Sequence, residues 1–110
     1  MTVEDISDFT TFENNVVKSD IPIFIDFYAN WCGPCTALSP TIEELAKDYK
    51  GKVKFVKVNV DKGQGLALHY GVSSIPALFL VHNGKTIASR TGGASKEVFK
   101  EFIDNAIGKI

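Results

Sequence analysis

Short apolar runs alternate with stretches whose apolar residues recur every three or four positions. Val3–Ile6 reads as a short edge strand. From Ser7 to Lys18, Phe9, Phe12 and Val16 keep helical spacing, with Thr10 and Glu13 offering a capping box. Ile21–Tyr28 (IPIFIDFY) is nearly all apolar and rich in branched and aromatic residues, the pattern of a central strand covered on both faces. Gly33–Tyr49 places Leu38, Ile42, Leu45, Ala46 and Tyr49 on one side of a helix, with Gly51 as a stop. Pro40 inside it removes a backbone donor and predicts a kink.

Val53–Val60 (VKFVKVNV) predicts a second buried strand. Gly65–Tyr70 predicts a short helix ended by Gly71, and Ile75–His82 a third long strand. Asn83-Gly84 is a strong hairpin signal, so Lys85–Thr91 should return antiparallel. Ser95 caps a last helix, Lys96–Ile107, whose stripe is Val98, Phe99, Phe102, Ile103 and Ala106. The order β-α-β-α-β-α-β-β-α predicts an α/β fold, with a mixed sheet of about five strands flanked by four helices.

The 110 residues suit one domain, 1–110, large enough for a hydrophobic core without staples. A net charge of -1, with scattered lysines, argues against nucleic acid and against an anionic membrane surface. The N-terminus is acidic and mixed, unlike a signal peptide, and no apolar run is long enough to span a bilayer. The expectation is a cytoplasmic, monomeric protein.

Only two cysteines are present, Cys32 and Cys35, inside ANWCGPCT. They fall where the first long strand gives way to a helix. Unpaired N–H groups and the helix dipole stabilise a thiolate there, and the thiolate is the reactive form. The spacing lets the two sulfurs meet. Pro34 suits a first helical turn and Gly33 leaves room for a partner backbone. A structural disulfide would close too small a loop to stabilise much. Zinc would need ligands beyond the two cysteines. Only His69 and His82 remain as histidines, 13 positions apart. The favoured reading is a dithiol that attacks a disulfide and is then released by its own second thiol.

WCGPC at this junction resembles the thioredoxin family, and the resemblance spans the chain: FIDFYANWCGPC, KVNVD, SIPALFL, NGK and Gly92-Gly93 all fall where that family has its blocks. It implies a thioredoxin fold and reduction of protein disulfides by Cys32 and Cys35, tuned by Gly33 and Pro34, without a bound cofactor. The implied partners are an NADPH-dependent flavoprotein, thioredoxin reductase, upstream, and ribonucleotide reductase, peroxiredoxin and methionine sulfoxide reductase downstream. Two other readings stay open: a binding subunit in which the dithiol is incidental, and an oxidase or isomerase of the same fold.

Asp26 sits within an apolar strand, where desolvation should raise its pKa. It either meets water at the strand end or, as the resemblance implies, takes the proton of Cys35. Lys57 is either a snorkelling surface lysine or a neighbour that moderates Asp26. Residues alone favour a trans bond at Ile75-Pro76. The resemblance instead implies a cis bond facing the cysteines, with Ile75 offering backbone groups to an extended substrate. Trp31, Gly92 and Gly93 would border the same surface. His69 and His82 read as non-catalytic, and Asp61 as a cap before the third helix. The chain departs from the family's common pattern at Thr36 (often lysine), Tyr28 (often tryptophan), Ala77 (often threonine) and Asn30.

Overall fold

The computed structural model describes residues 3–110; residues 1 and 2 of the expected domain lie outside that range. Five strands, β1 (Val3–Asp5), β2 (Ile23–Tyr28), β3 (Lys54–Asn59), β4 (Ala77–His82) and β5 (Lys85–Thr91), form one sheet in the order β1-β3-β2-β4-β5. The first three are mutually parallel, whereas β4 and β5 run antiparallel to their neighbours. Helices α1 (Phe9–Phe12), α2 (Gly33–Asp48), α3 (Gln64–His69) and α4 (Lys96–Ile107) cover the two faces. The mixed sheet with four helices is the one the hydrophobic pattern predicts.

β2 is the centre. It is hydrogen-bonded on both sides, and Ile23 to Phe27 are all buried. Its alternation splits the core. Phe24 joins Phe55, Leu78, Leu80 and Phe99 under α2 and α4, whereas Ile23, Ile25 and Phe27 join Val56, Val58 and Val81 on the α1 and α3 side. The Phe24 ring stacks on Phe55 at 4.8 Å between centroids and meets the edge of Phe99 at 6.1 Å. α2 and α4 are tied at the surface, where Tyr49 donates to Asp104 Oδ1 at 2.6 Å and Lys96 pairs with Asp48 at 2.9 Å.

Several boundaries differ from the expectations. The first helix is capped by Asp8, not by a Thr10–Glu13 box: Asp8 Oδ1 accepts from the Thr11 N–H at 2.7 Å, and Asp8 Oδ2 from the Thr11 hydroxyl at 2.9 Å. Asp8 stands in extended backbone just before the first helical residue, where a short carboxylate reaches the free N–H groups. α1 then widens into a π-helical turn, Glu13–Val17, with the Lys18 N–H on the Glu13 carbonyl. α2 continues through Pro40, which is exposed and leaves the Thr36 carbonyl without its helical donor. The Asn83-Gly84 turn has positive φ at both residues, 53° and 77°, as a tight hairpin needs. One strand partner is skipped between Leu80 and Val81, leaving Ile87 as a bulge in β5.

Phe24 has no exposed surface and ring partners in both β3 and α4. Phe24→Ala is expected to destabilise the protein by about 3–5 kcal/mol. Urea unfolding should show this as a lower midpoint with an unchanged slope.

Candidate functional site: a dithiol at the start of α2

β2 ends at Tyr28, and Ala29–Trp31 carry the chain into α2. Cys32 is the N-cap of that helix, in extended backbone, and its Sγ accepts from the Cys35 N–H at 3.2 Å. The first helical turn therefore aims an otherwise unpaired donor at the sulfur. Pro34 sits in that turn, where its missing N–H costs nothing. Cys32 and Cys35 form a disulfide with their Cα atoms 5.3 Å apart, and each is 5% exposed. They pack with Ala29, flanked by Tyr28, Val60 and Ile75.

Two further loops converge on this pair. The Ile75-Pro76 bond is cis, and the Ile75 carbonyl oxygen lies 4.0 Å from Cys32 Sγ. The Pro76 carbonyl accepts from the Gly92 N–H at 2.8 Å, which fastens the loop after β5 to the loop before β4. Gly92 has φ +91°, backbone that a side chain rarely adopts. Gly93 and Pro34 line one shallow groove beside α2. Trp31 is 71% exposed next to Cys32, and its indole N–H donates to Asp61 Oδ2 at 2.8 Å. The Asp61 side chain thus answers to the indole instead of capping the turn before α3, whose N-cap is Gly63. The turn before that helix is made by Asn59, whose Oδ1 accepts from the N–H groups of Asp61 and Lys62.

Beneath the disulfide lies Asp26, 6% exposed, with no hydrogen-bond partner for Oδ1. Its register partners are Lys57 on β3 and Leu78 on β4. Burial pushes its pKa from an ordinary 3.8 up to about 7, and the positive charge of Lys57 holds it from going higher. A cavity of about 210 Å³ connects the two levels, lined by Asp26, Lys57, Tyr28, Thr36, Ser39 and Cys35 among others. Lys57 is half-buried, with its ammonium 5.3 Å from the centre of the Tyr28 ring. The structure thus gathers Cys32, Cys35, Trp31, Ile75, Pro76, Gly92 and Gly93 around one surface, and puts Asp26 and Lys57 below it.

The histidines lie apart from this surface. His69 closes α3 with its ring edge-on to Phe9 and Tyr70, and His82 ends β4 at the far end of the sheet. Among the described residues no group of three or more His, Cys, Asp or Glu side chains is gathered to hold a metal, and no helix is long and apolar enough to cross a membrane.

An α/β sheet that ends its central strand in a C-x-x-C disulfide, capped by a helix and faced by a cis-proline, defines a thiol–disulfide oxidoreductase. The family model for thioredoxin matches residues 3–105. The chain is similar to the thioredoxin of Haemophilus influenzae, 48% identical over 87% of this chain and 90% of that one. The thioredoxin of Pseudomonas aeruginosa is 42% identical over 86% and 87%. A probable thioredoxin-2 of Caenorhabditis elegans is 38% identical over 96% and 73%. The chain belongs to the thioredoxin family, and it is a protein-disulfide reductase with a redox-active disulfide.

The buried carboxyl has a cost that depends on pH. Between pH 3.8 and about 7 the folded protein keeps the Asp26 proton while the unfolded chain has lost it. The unfolded state binds fewer protons there, so stability falls as pH rises. At ~1.4 kcal/mol per pH unit the loss across that window is on the order of 4 kcal/mol. Asp26→Asn removes this titration. Its stability advantage over the unmodified protein should grow from pH 4 to pH 7 and then level off, as read by urea unfolding across pH.

Proposed function

We propose that Cys32 is the attacking thiol and Cys35 the resolving thiol of the disulfide-reductase reaction. In the reduced protein, the Cys32 thiolate attacks one sulfur of a target disulfide. A Cys32–target bond forms, the target S–S bond breaks, and the departing sulfur leaves as a thiolate that takes up a proton. Cys35 then loses its proton and attacks Cys32 Sγ, which restores the Cys32–Cys35 disulfide and frees the reduced target. Two electrons pass to the target. Proximity makes the second step unimolecular. The reading rests chiefly on one arrangement: Cys32 Sγ at the helix start, receiving the Cys35 N–H. A sulfur so placed keeps negative charge well, which holds it as the attacking thiolate in the reduced protein.

Cys35 is buried and needs a base to lose its proton. Asp26 serves, since it shares a cavity with Cys35 and titrates near neutral pH, where a general base works best. Lys57 moderates its charge. The target lies as an extended segment against Ile75, whose backbone groups offer strand-like pairing, while cis-Pro76 holds that loop open toward Cys32. Trp31, tethered through its indole to Asp61, supplies an apolar border. Gly92 and Gly93 leave room for the backbone of the target, and Gly33 is open to solvent with nothing near its missing side chain. Gly33 and Pro34 tune the potential by fixing the first turn of α2.

The protein acts in the cytoplasm as a monomeric electron carrier in cell redox homeostasis. An NADPH-dependent flavoprotein, thioredoxin reductase, returns it to the dithiol. Ribonucleotide reductase, peroxiredoxin and methionine sulfoxide reductase are targets whose catalytic cycles leave disulfides that need such a donor. No cofactor is required in the chain itself.

Two experiments test these roles. Cys35→Ser should hold targets on Cys32 as stable mixed disulfides, seen on non-reducing gels, while Cys32→Ser lowers the rate of disulfide reduction by at least about 10³-fold. Trapping by Cys32→Ser instead would mean that the roles are reversed. Titration against a buffered thiol–disulfide couple, followed by the fluorescence of Trp31, should give a two-electron transition well below the glutathione poise. A transition well above it would indicate an oxidant or isomerase. A doubly Ser-substituted protein that retained full biological function would show that the fold serves as a binding subunit.

A further inference from the structure

β1 brings a second carboxylate into line with the buried one. In the sheet register Asp5 stands opposite Lys57, and Lys57 opposite Asp26. Direct partners in neighbouring strands project to the same face, so the three make one row, carboxylate, ammonium, carboxylate, on the side that carries α2. The inner carboxylate is buried and the outer one exposed. None of the ion pairs among the described residues includes Lys57. Its ammonium sits over the Tyr28 ring. The Tyr28 hydroxyl donates to Asp5 Oδ2 at 2.7 Å. One tyrosine therefore does two things: its face holds the lysine, and its hydroxyl occupies the outer competitor for that lysine.

We propose that Tyr28 and Asp5 are positioning residues for the disulfide-exchange reaction: their hydrogen bond keeps Lys57 between the two carboxylates and thereby sets the proton affinity of Asp26. The charged or titratable groups facing Asp26 are Lys57 from β3, Cys35 from α2 and Tyr28 from β2 itself, with Asp5 acting from β1 and Leu78 closing the β4 side. The link to the reaction rests on the reading of Asp26 as proton acceptor for Cys35.

The row makes predictions of opposite sign. Asp5→Asn removes the outer negative charge. Lys57 is then free to turn toward Asp26, and both changes favour the ionised carboxylate, so the Asp26 pKa falls. Tyr28→Phe keeps the ring but takes the donor from Asp5. Asp5 then draws Lys57 outward, and the Asp26 pKa rises. The double variant should follow Asp5→Asn, because the hydroxyl acts through the carboxylate.

The test is a titration of the Asp26 carboxyl by carbon NMR in the reduced protein. It is run beside the pH profile of target release from the mixed disulfide. Shifts on the order of half a pH unit are expected, downward for Asp5→Asn and upward for Tyr28→Phe. Shifts of the same sign, or none in either variant, overturn the proposal. A purely structural role for the hydrogen bond would lower the melting temperature and leave the titration in place, which counts as none. If the titration moves as expected and the release profile stays, the positioning of Asp26 stands and the assignment of Asp26 as the base for Cys35 fails.

Discussion

From Ile23 to Phe27, β2 has no face to water and a neighbour on each side, and within that stretch the chain carries an acid. Every other strand is arranged around this constraint. The alternation of β2 divides the core in two, with Phe24 on one side and Ile23, Ile25 and Phe27 on the other. The same alternation points Asp26 to the side where α2 begins. Burial therefore places the carboxyl, and burial also raises its affinity for a proton. A more apolar residue there would make a firmer core. The molecule keeps a poorly solvated acid under its thiols instead, and strong packing nearby, such as the stacked rings of Phe24 and Phe55, offsets the loss.

The thiols depend on where that strand stops. β2 runs out at Tyr28, three residues turn the chain, and α2 starts at Cys32 with a free N–H directed at sulfur. Two other loops meet this point because strand order and direction bring them there: β4, antiparallel to β2, starts at the end where β2 finishes, and β5 returns to it. The hydrogen bond from Gly92 to Pro76 fixes those two loops to each other. A site assembled from three chain segments is thus held mainly by backbone, which is consistent with its side chains being small or apolar.

Much of this was legible in the residues. The all-apolar stretch Ile21–Tyr28 marks a central strand, Asn83-Gly84 marks the hairpin, and two cysteines three apart at a strand–helix junction mark the chemistry. Local rules sufficed because each of these features is local. The cis state of Ile75-Pro76 was not readable from the residues, since the intrinsic preference of the bond is trans and surrounding structure decides; resemblance to a family pointed to it. Asp8 does not stand out as a cap in the sequence, because Thr10 and Glu13 fit the spacing of a capping box, and β2, β3 and β4 begin one or two residues later than their apolar runs suggest. Asp61 looked like a turn residue, but its side chain answers to an indole thirty positions away. Asp5 gave no signal at all. Its place beside Lys57 exists only once β1 and β3 are in register.

The bulge at Ile87 bears on how the protein can live among extended chains. An open sheet edge is a template on which foreign strands add and aggregates grow. This sheet has two edges, and both are poor templates. β1 is three residues long. β5 is longer, but the extra residue interrupts its ladder, Lys85 begins it, and Arg90 lies inward over Phe99 with a buried Nε that finds no acceptor. A carrier that met extended segments by backbone pairing, as proposed for Ile75, would be at risk of being zipped into them along its flanks. Irregular, charged flanks keep such encounters short, so that each visitor is gripped at the sulfurs and let go.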